Sequence, residues 1–439
     1  MTPDLIVLDS KNLRSRLILI GVILFALVLV WFGVRWQLGD LLASLTPPTD
    51  PNASAVAALA FSLAPANPLT SWLKASSGDD TFAETTTSAV ERFEQTVRLS
   101  PYDYRWRVEL GRALEQDDHA DEAESEFKRA IELAPSYAYP RWHLGNFYLR
   151  QNRPDEAFAE LKKATDNNTE YREQVFSLAW DYFDKDATQV EKLAGDQPET
   201  RASLAYFFAA RGRAANSLRN WNLLSDHDKT ANKVFAKSIA QGLYGQRHFP
   251  QALEFAKQNG NDPGANAGAV TNSGFESPIT DGESSWFGWQ VTRNDPKIEI
   301  ATDPKVKHLG EHSLRVTFRN FLKPALANLV QTVVVEPQTH YRLHFWLRTE
   351  NLKSAGGPLI ELVNGNDDKS IAISKPFPAG TNDWQEIMVD FITPQNCEGI
   401  YVRTIRQYCG ESCSITGTLW YDDFVLSEPG AIATGFSGH

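Results

Sequence analysis

The sequence predicts a multidomain chain with a single transmembrane helix near the N-terminus, an all-α solenoid of helical repeats, and an all-β sandwich of jelly-roll type at the C-terminus. Three observations predict this order. An uncharged apolar run lies at residues 17–34, helical periodicity with a repeating unit extends over residues 53–258, and alternating β-rich runs fill residues 270–428. The 439 residues are enough for such a helix and two folded domains.

The apolar run reads LILIGVILFALVLVWFGV. At a rise of about 1.5 Å per residue, a helix of this length nearly crosses a hydrocarbon core of roughly 30 Å. Trp31 and Trp36 suit the aromatic belt at the interface, and the side chain of Arg35 is long enough to reach it, so we expect a transmembrane helix over residues 17–36. The alternative is a cleaved signal peptide, although the run is longer than the usual apolar region and no A-x-A site follows it.

The basic residues around the span predict its orientation. Three of them precede it: Lys11, Arg14 and Arg16. After Arg35 the next lysine or arginine is Lys74. The positive-inside rule therefore predicts a cytoplasmic tail at residues 1–16, a Pro-rich linker at residues 37–52, and the rest of the chain outside the cytoplasm.

Charge and cysteine content restrict the partners and the compartment. The net charge of −12 argues against nucleic acid as a main partner. Cys409 and Cys413 are spaced to close a small disulfide loop in an oxidising compartment, which leaves Cys397 unpaired. A metal site at the cysteines is disfavoured because no second Cys or His pair lies at ligand spacing.

The helical part contains a repeat of 34 residues, clearest at residues 104–137. Six positions define it: Leu110, Gly111, Ala123, Phe127, Ala130 and Pro135. Five of them return compatible residues one repeat later: Leu144, Gly145, Ala157, Leu161 and Ala164. The unit resembles the tetratricopeptide repeat (TPR), a pair of antiparallel helices that small residues allow to approach closely.

The resemblance implies a curved solenoid with a groove lined by the first helix of each pair, a surface that such repeats use for protein partners. In this sequence the candidate groove residues are Arg105, Arg112, Tyr139, Trp142 and Asn146. The alternative is a solvated face, or a groove filled by the chain's own neighbouring helix.

A second linker, rich in Gly, Asn, Asp and Pro, is predicted at residues 259–269. After it, β-rich runs alternate with turn residues at 329–335, 341–348, 359–363, 386–391, 399–406 and 418–426. Many short strands without helical stretches predict two packed antiparallel sheets over residues 270–428. Residues 429–439 are expected to form a flexible tail.

Motifs in the β domain occur in the order typical of carbohydrate-binding modules of the family 4/9/22 type. They are NSGFES at 272–277, GWQ at 288–290, GEHSLRVTF at 310–318, YRLHFWLRTE at 341–350 and LWYDDFVL at 419–426. The domain therefore resembles this galactose-binding-like family, which implies a polysaccharide ligand. Sandwiches of this kind also include protein-binding members.

The resemblance further implies a structural calcium ion that joins the first strand to the last. Glu276 stands at the acid of the family's GFE motif, and Asp422 and Asp423 stand at its terminal acid pair. Carboxylate oxygens are what a hard cation needs. An ordinary acidic turn at a strand end is the alternative.

Sugars stack their apolar C–H faces on aromatic rings and bond their hydroxyls to planar polar groups. Strand alternation over residues 341–348 places His344, Trp346 and Arg348 on one face. Together with neighbouring loops and strands, the candidate glycan-binding residues are Trp286, Phe287, His344, Trp346, Arg348, Tyr401 and Arg403. For each aromatic residue, packing in the core or at an edge is the alternative.

No catalytic motif stands out, such as a G-x-S-x-G elbow, a phosphate loop or H-E-x-x-H, so we do not expect an enzyme. The first hypothesis is an adaptor anchored in a bacterial inner membrane and facing the periplasm, which binds a protein through its repeats and a polysaccharide through its sandwich, in envelope or exopolysaccharide assembly or export. The second is a structural subunit of a membrane complex whose sandwich binds protein. A degenerate glycoside-processing enzyme is a third.

Overall fold

A computed structural model describes residues 13–77, 89–166, 169–194, 197–279, 285–292, 295–322, 326, 329–410 and 413–429. The N-terminal residues of the predicted cytoplasmic tail and nearly all of the predicted C-terminal tail lie outside these ranges. The chain divides into two compact units, Met1–Leu193 and Ala194–His439, and each is described by itself.

The first unit begins with helix α1 (Leu13–Leu45), which contains the apolar run. Within the described ranges it is the one helix long and apolar enough to cross a membrane, and a signal sequence passes the same test of length and composition. The helix extends well into the predicted linker at residues 37–52, because its last turns are packed rather than solvated. Gly39 and Ala43 are both buried.

Helix α2 (Ala53–Leu63) packs against the end of α1 at a point where only glycine fits. A Cβ atom on Gly39 would lie 2.7 Å from the Cβ atom of Ala64 and 2.9 Å from the carbonyl oxygen of Ala60. Nearby, Arg35 Nη2 donates a hydrogen bond of 2.7 Å to the carbonyl oxygen of Ser62. The apolar helix and the first repeat helices therefore form one packed structure.

The remaining helices of this unit are α3 (Pro68–Ser76), α4 (Ala89–Leu99), α5 (Tyr104–Gln116), α6 (Ala120–Leu133), α7 (Ala138–Arg150), α8 (Pro154–Asp166), α9 (Thr169–Tyr182) and α10 (Ala187–Ala194). Helices α5–α6 and α7–α8 are the two predicted repeat pairs, and the packing follows the repeat pattern. A Cβ atom on Gly111 would lie 3.0 Å from the ring of the fully buried Phe127. In the next pair, a Cβ atom on Gly145 would lie 2.6 Å from Leu161.

The second unit starts with helices α11 (Pro198–Ala210), α12 (Ala214–Asn222), α13 (Asp226–Ala231), α14 (Lys233–Gly245) and α15 (Phe249–Gln258). The strands that follow are β1 (Gln290–Val291), β2 (Ile298–Asp303), β3 (Ser313–Phe321), β4 (Leu329–Val334), β5 (His340–Ser354), β6 (Pro358–Asn364), β7 (Ser370–Ile373), β8 (Gly380–Ile392), β9 (Gly399–Arg406) and β10 (Ile415–Ser427).

The described strands form a two-sheet antiparallel sandwich, as predicted. The first sheet has the order β1-β4-β9-β6-β7, and the second sheet has the order β2-β3-β10-β5-β8. Inward-facing side chains of both sheets pack in one core, in which Phe345 stacks on Phe424 with ring centroids 4.6 Å apart. Outward-facing side chains of each sheet are therefore available to other parts of the protein or to a ligand.

The boundary between helices and sandwich differs from the predicted one, because the last two helices pack on the first sheet. Phe249 of α15 is fully buried, and a Cβ atom on Gly365 or Gly399 would lie within 2.8 Å of its ring. The hydroxyl groups of Tyr244 and Thr332 are 2.6 Å apart.

The predicted linker at residues 259–269 is also held to the sandwich. The carboxylate of Asp262 is buried and accepts hydrogen bonds from the hydroxyl of Ser285 and, at 3.1 Å, from the backbone N–H of Trp286. Residues 194–429 therefore behave as one packed unit, and the chain separates near residue 194 rather than at the Gly-rich segment.

The contact between α1 and α2 yields a prediction with a matched control. Gly33→Ala and Gly39→Ala each gain about 1 kcal/mol of helix propensity. Only Gly39→Ala also overpacks a neighbour, because nothing lies within 4 Å of a Cβ atom on Gly33. We expect Gly39→Ala to be the less stable variant by about 1–3 kcal/mol. Hydrogen exchange of α2 and α3 in detergent measures this difference, and equal protection in both variants would contradict the contact.

Candidate functional site

The outer face of the second sheet carries an aromatic cluster centred on Trp346. Strand β5 lies between β10 and β8, and its alternation buries Phe345 and Leu347 while Trp346 faces outward. The imidazole of His308 stacks on the Trp346 ring with centroids 3.9 Å apart and an angle of 14°. Trp384 of β8 meets His308 edge-on at 5.7 Å. All three rings are partly exposed.

Charged and planar polar side chains surround these rings. Arg348 Nη1 lies 3.0 Å from Asp383 Oδ1, and His344 Nδ1 lies 3.1 Å from Glu386 Oε1. His344 and Arg348 were both predicted as site residues, and the structure places them beside Trp346. We call His308, His344, Trp346, Arg348 and Trp384 the Trp346 cluster. His308, which lies in a loop, was missed because periodicity carries no information about loops.

The other four candidate glycan residues lie on a different surface. Tyr401 and Arg403 face outward from the first sheet, and Trp286 and Phe287 lie beside it. Helices α14 and α15 cover part of this region: the ring of Phe249 contacts Tyr401 with centroids 6.1 Å apart. Likewise, Tyr244 contacts Phe287 with centroids 5.5 Å apart. Trp286 is buried.

Arg403 Nη2 is paired with Glu361 Oε2 at 2.7 Å. The seven predicted residues therefore do not form one cleft, because they belong to the outer surfaces of two different sheets. Alternation along a strand shows which side chains share a face, but it does not show which sheet the strand joins.

The predicted calcium ligands do come together, around Gly274. A Cβ atom at this glycine would lie 3.5 Å from Asp423 Oδ1, 3.6 Å from Asp422 Oδ1 and 3.7 Å from Glu276 Oε1. The backbone N–H of His308 donates to Asp422 Oδ2 at 2.8 Å. These oxygens have the chemistry that calcium prefers. Over the part of the chain that the structure describes, no three Asp, Glu, His or Cys side chains are placed to hold a metal ion as they stand.

Asp422 is the most deeply buried of the three acids. Its side chain is buried, and burial, followed by the neighbouring charge of Asp423, raises its pKa to about 6 although backbone hydrogen bonds oppose this rise. His308 connects the acids to the Trp346 cluster, since its Nδ1 atom lies 2.7 Å from Asp423 Oδ2. One of the acids is therefore in direct contact with the imidazole that stacks on Trp346.

The predicted groove residues of the repeats lie on α5 and α7, the first helices of the two pairs. Arg112 Nη1 is 3.1 Å from Glu109 Oε2, and the hydroxyl of Tyr139 donates to Glu109 Oε1 at 3.1 Å. The Asn146 amide donates to the carbonyl oxygen of Trp142 in its own helix.

Trp142 also contacts Tyr171, with ring centroids 5.4 Å apart. The fifth predicted groove residue, Arg105, pairs with Asp103. The polar groups that were expected to meet a partner are therefore engaged within the repeats.

The cysteines adopt the predicted arrangement. Cys409 and Cys413 are joined by a disulfide with Cα atoms 5.6 Å apart. Cys397 is free and buried, and burial raises the pKa of its thiol to about 11. This thiol is a poor nucleophile, because the thiolate is the reactive form.

Two regions match known families. Residues 267–407 match the family model described as a carbohydrate binding domain, and residues 116–179 match a tetratricopeptide repeat model. The chain thus contains both modules that its motifs indicate. No curated protein matches the chain.

Some solved structures resemble the carbohydrate-binding module and others resemble the repeats. A family 4 carbohydrate-binding module is 12% identical, with 36% of this chain and 99% of that chain covered and a TM-score of 0.27. The module TmCBM61 in complex with β-1,4-galactotriose is 17% identical. The match covers 36% of this chain and 95% of that chain, with a TM-score of 0.25. MamA from Desulfovibrio magneticus RS-1 is 19% identical. The match covers 30% of this chain and 72% of that chain, with a TM-score of 0.24.

The buried charge of Asp422 gives a prediction for Asp422→Asn. A raised pKa means that the folded state holds a proton more tightly than the unfolded state, so this group's contribution to stability falls as the pH rises from about 4 to 6. Asparagine removes that loss, and its one amide oxygen can keep only one of the two hydrogen bonds that the carboxylate accepts from the backbone N–H groups of His308 and Asp423. In EDTA at pH 7 we expect Asp422→Asn to unfold at a higher temperature than the natural protein.

Calcium should reverse this order in thermal unfolding at the same pH. The cation would stabilise the natural carboxylates and leave Asp422→Asn unchanged. If added calcium shifts neither protein, the three acids are an acidic turn. If Asp422→Asn is less stable in EDTA, the carboxylate is needed for its hydrogen bonds rather than tolerated as a buried charge.

Proposed function

We propose that the chain is a membrane-anchored extracytoplasmic adaptor that binds a polysaccharide through its sandwich and a protein partner through its repeats. The observation that carries the proposal is the order of the parts: an apolar helix, tetratricopeptide repeats and a carbohydrate binding domain. A bacterial inner membrane with the bulk of the chain in the periplasm is the setting that fits this order, and assembly or export of an envelope polysaccharide is the process.

The Trp346 cluster supports sugar binding on the second sheet. His308 covers one face of the Trp346 ring, and the surface of the three rings that stays exposed is apolar surface on which a pyranose can stack. The ion pairs beside them are exposed on at least one side, and such pairs contribute only about 0–1 kcal/mol. Exchanging them for hydrogen bonds to sugar hydroxyls therefore costs little free energy.

Helix α1 supports the anchor. Its apolar side chains are exposed around the whole circumference over the run, including Leu17, Phe25 and Trp31. A helix that is apolar on every side needs an apolar environment, and here its own unit does not provide one. A lipid bilayer would provide this apolar environment. The basic residues before the run favour a cytoplasmic N-terminus.

The second candidate function is a structural subunit of a membrane complex. The first sheet favours it, because this sandwich already uses part of an outer face to bind protein helices through Phe249 and Tyr244. In that case the second sheet would meet a partner protein in the same way.

A binding experiment separates the two functions. The full chain is purified in a detergent without a sugar headgroup and titrated calorimetrically with a panel of polysaccharides, with calcium or with EDTA. We expect Trp346→Ala to weaken binding at least tenfold, since the loss of about 1.4 kcal/mol of stacking free energy is a factor of ten in Kd. Tyr408→Ala removes an exposed aromatic ring of the same domain and should bind as the natural protein does. No binding by a well-folded protein would favour the structural subunit.

The oxidation state of the cysteines tests whether the sandwich lies in an oxidising compartment outside the cytoplasm. In an oxidising compartment, alkylation of the denatured protein without reductant should modify Cys397 alone, and after reduction it should also modify Cys409 and Cys413. Mass spectrometry of protein extracted from membranes in the presence of the alkylating reagent counts the modified cysteines. Modification of all three before reduction would place the sandwich in a reducing compartment and contradict the proposed orientation.

A further inference from the structure

Helices α1 and α2 form an antiparallel hairpin joined by the turn at residues 46–52, so the C-terminal end of α2 returns toward the apolar run. Two contacts determine how far it returns. A Cβ atom on Gly39 would lie 2.7 Å from the Cβ atom of Ala64, and the carbonyl oxygen of Ser62 accepts a hydrogen bond from Arg35. The end of α2 therefore lies beside Gly39, about one helical turn or roughly 6 Å beyond Arg35 along α1.

We call residues 61–66, which end α2 and begin the turn to α3, the α2 tip. With α1 across a bilayer, the apolar run at residues 17–34 occupies the hydrocarbon core, and Arg35 is the first charged residue beyond it. The headgroup layer on each side of the core is roughly 5–7 Å deep. The α2 tip lies within this distance of Arg35, so headgroups and upper acyl chains surround it rather than bulk water.

The chain around the α2 tip is uncharged. Between Asp50 and Lys74 the sequence contains no Asp, Glu, Lys or Arg, and this stretch includes all of α2 and most of α3. In α6, by contrast, half of the residues are charged. A helix whose outer face lies in water normally carries polar and charged side chains there. The exposed positions of α2 are instead Ser54, Ala55, Ala58, Leu59 and Ser62.

Polar side chains near the tip already have partners within the protein. The hydroxyl of Ser62 donates to a carbonyl oxygen of its own helix at 2.7 Å. The Asn67 amide donates to Asp40 at 2.9 Å, and the hydroxyl of Thr70 donates to the carbonyl oxygen of Ala64 at 2.7 Å. Polar groups that enter a lipid environment must be satisfied internally. These groups would therefore lose no hydrogen bond when the tip leaves water.

Two cations border the tip. Arg35 is held at the end of α2 by its hydrogen bond to Ser62, and Lys74 Nζ lies 4.1 Å from the centroid of the Phe61 ring. Long basic side chains lay their apolar stems on apolar surface and direct the charged group to the headgroups. Apolar surface bordered by cations is typical of protein segments that lie in the membrane interface.

We propose that the α2 tip is a second membrane contact, inserted among the lipid headgroups of the extracytoplasmic leaflet beside α1, with Arg35 and Lys74 directed to phosphate groups. The inference rests on the proposed membrane anchor and deepens it, because it fixes the first repeats against the bilayer surface. Lipid is the occupant because α2 packs on α1 without a spacer, so its end cannot move away from the level of Gly39.

The experiment measures membrane depth in the full chain. Ala66→Cys places a thiol at an exposed position of the tip, where an environment-sensitive fluorophore is attached under native conditions that leave the buried Cys397 unmodified. The labelled protein is reconstituted in vesicles of phosphatidylethanolamine and phosphatidylglycerol. Nitroxide groups near the start of the lipid acyl chains should quench most of its fluorescence, and iodide in the water should quench little of it.

Two further alanine positions are matched controls. Ala55→Cys is exposed on the same helix but lies three turns away from the tip, so iodide should quench its label and the lipid nitroxides should not. Ala26→Cys is exposed in the middle of the apolar run, and nitroxides near the end of the acyl chains should quench it most.

The three positions separate failure of the inference from failure of the anchor. If Ala26→Cys is quenched from within the lipid while Ala66→Cys and Ala55→Cys behave alike, the anchor stands and the inference is wrong. If the label at Ala66→Cys is shielded from both iodide and lipid nitroxides, protein covers the tip, which also overturns the inference. No lipid quenching at Ala26→Cys would contradict the anchor itself, and with it the premise of the inference.

Discussion

The packing of Phe249 between two glycines is the contact on which the second unit depends. Any side chain at Gly365 or Gly399 would collide with its ring, so the helix and the sheet edge approach as closely as backbones allow. Replacing such a buried ring by alanine typically costs about 3–5 kcal/mol. Because this contact brings α14 and α15 over Tyr401 and Val334, part of the first sheet's outer face is committed to protein, and the second sheet has the freer aromatic surface.

A glycine plays the same part in the first unit. Gly39 lets α1 touch α2 directly, and Asn67 Nδ2 adds a hydrogen bond to Asp40 Oδ1 at 2.9 Å. The apolar helix therefore continues into the repeats without a flexible spacer. In a bilayer, the tilt of α1 would be passed to the first repeat helices, since no soft segment between Arg35 and Leu45 is left to absorb it.

Sequence patterns predicted the structure correctly where the contacts join residues that are close together in the chain. The 34-residue repeat and the period-two alternation identified the repeat pairs and most strands, because each pattern reports contacts between near neighbours. Long-range contacts left no such trace. Phe249 meets Tyr401 across 152 positions, and nothing near either residue indicates that pairing. For the same reason, Trp346 and Tyr401 were grouped into one cleft although their strands belong to different sheets.

The Trp346 cluster has a physical character that bears on how the chain would work. It offers aromatic faces and charges that are already paired, and a site of this kind binds an individual sugar weakly. A polysaccharide presents many copies of the same sugar, so several anchored chains in one membrane can hold one polymer and gain from effective concentration without a new contact. A modest site on a membrane-anchored chain therefore suits a long polysaccharide better than a single sugar, and it allows the polymer to be released one contact at a time.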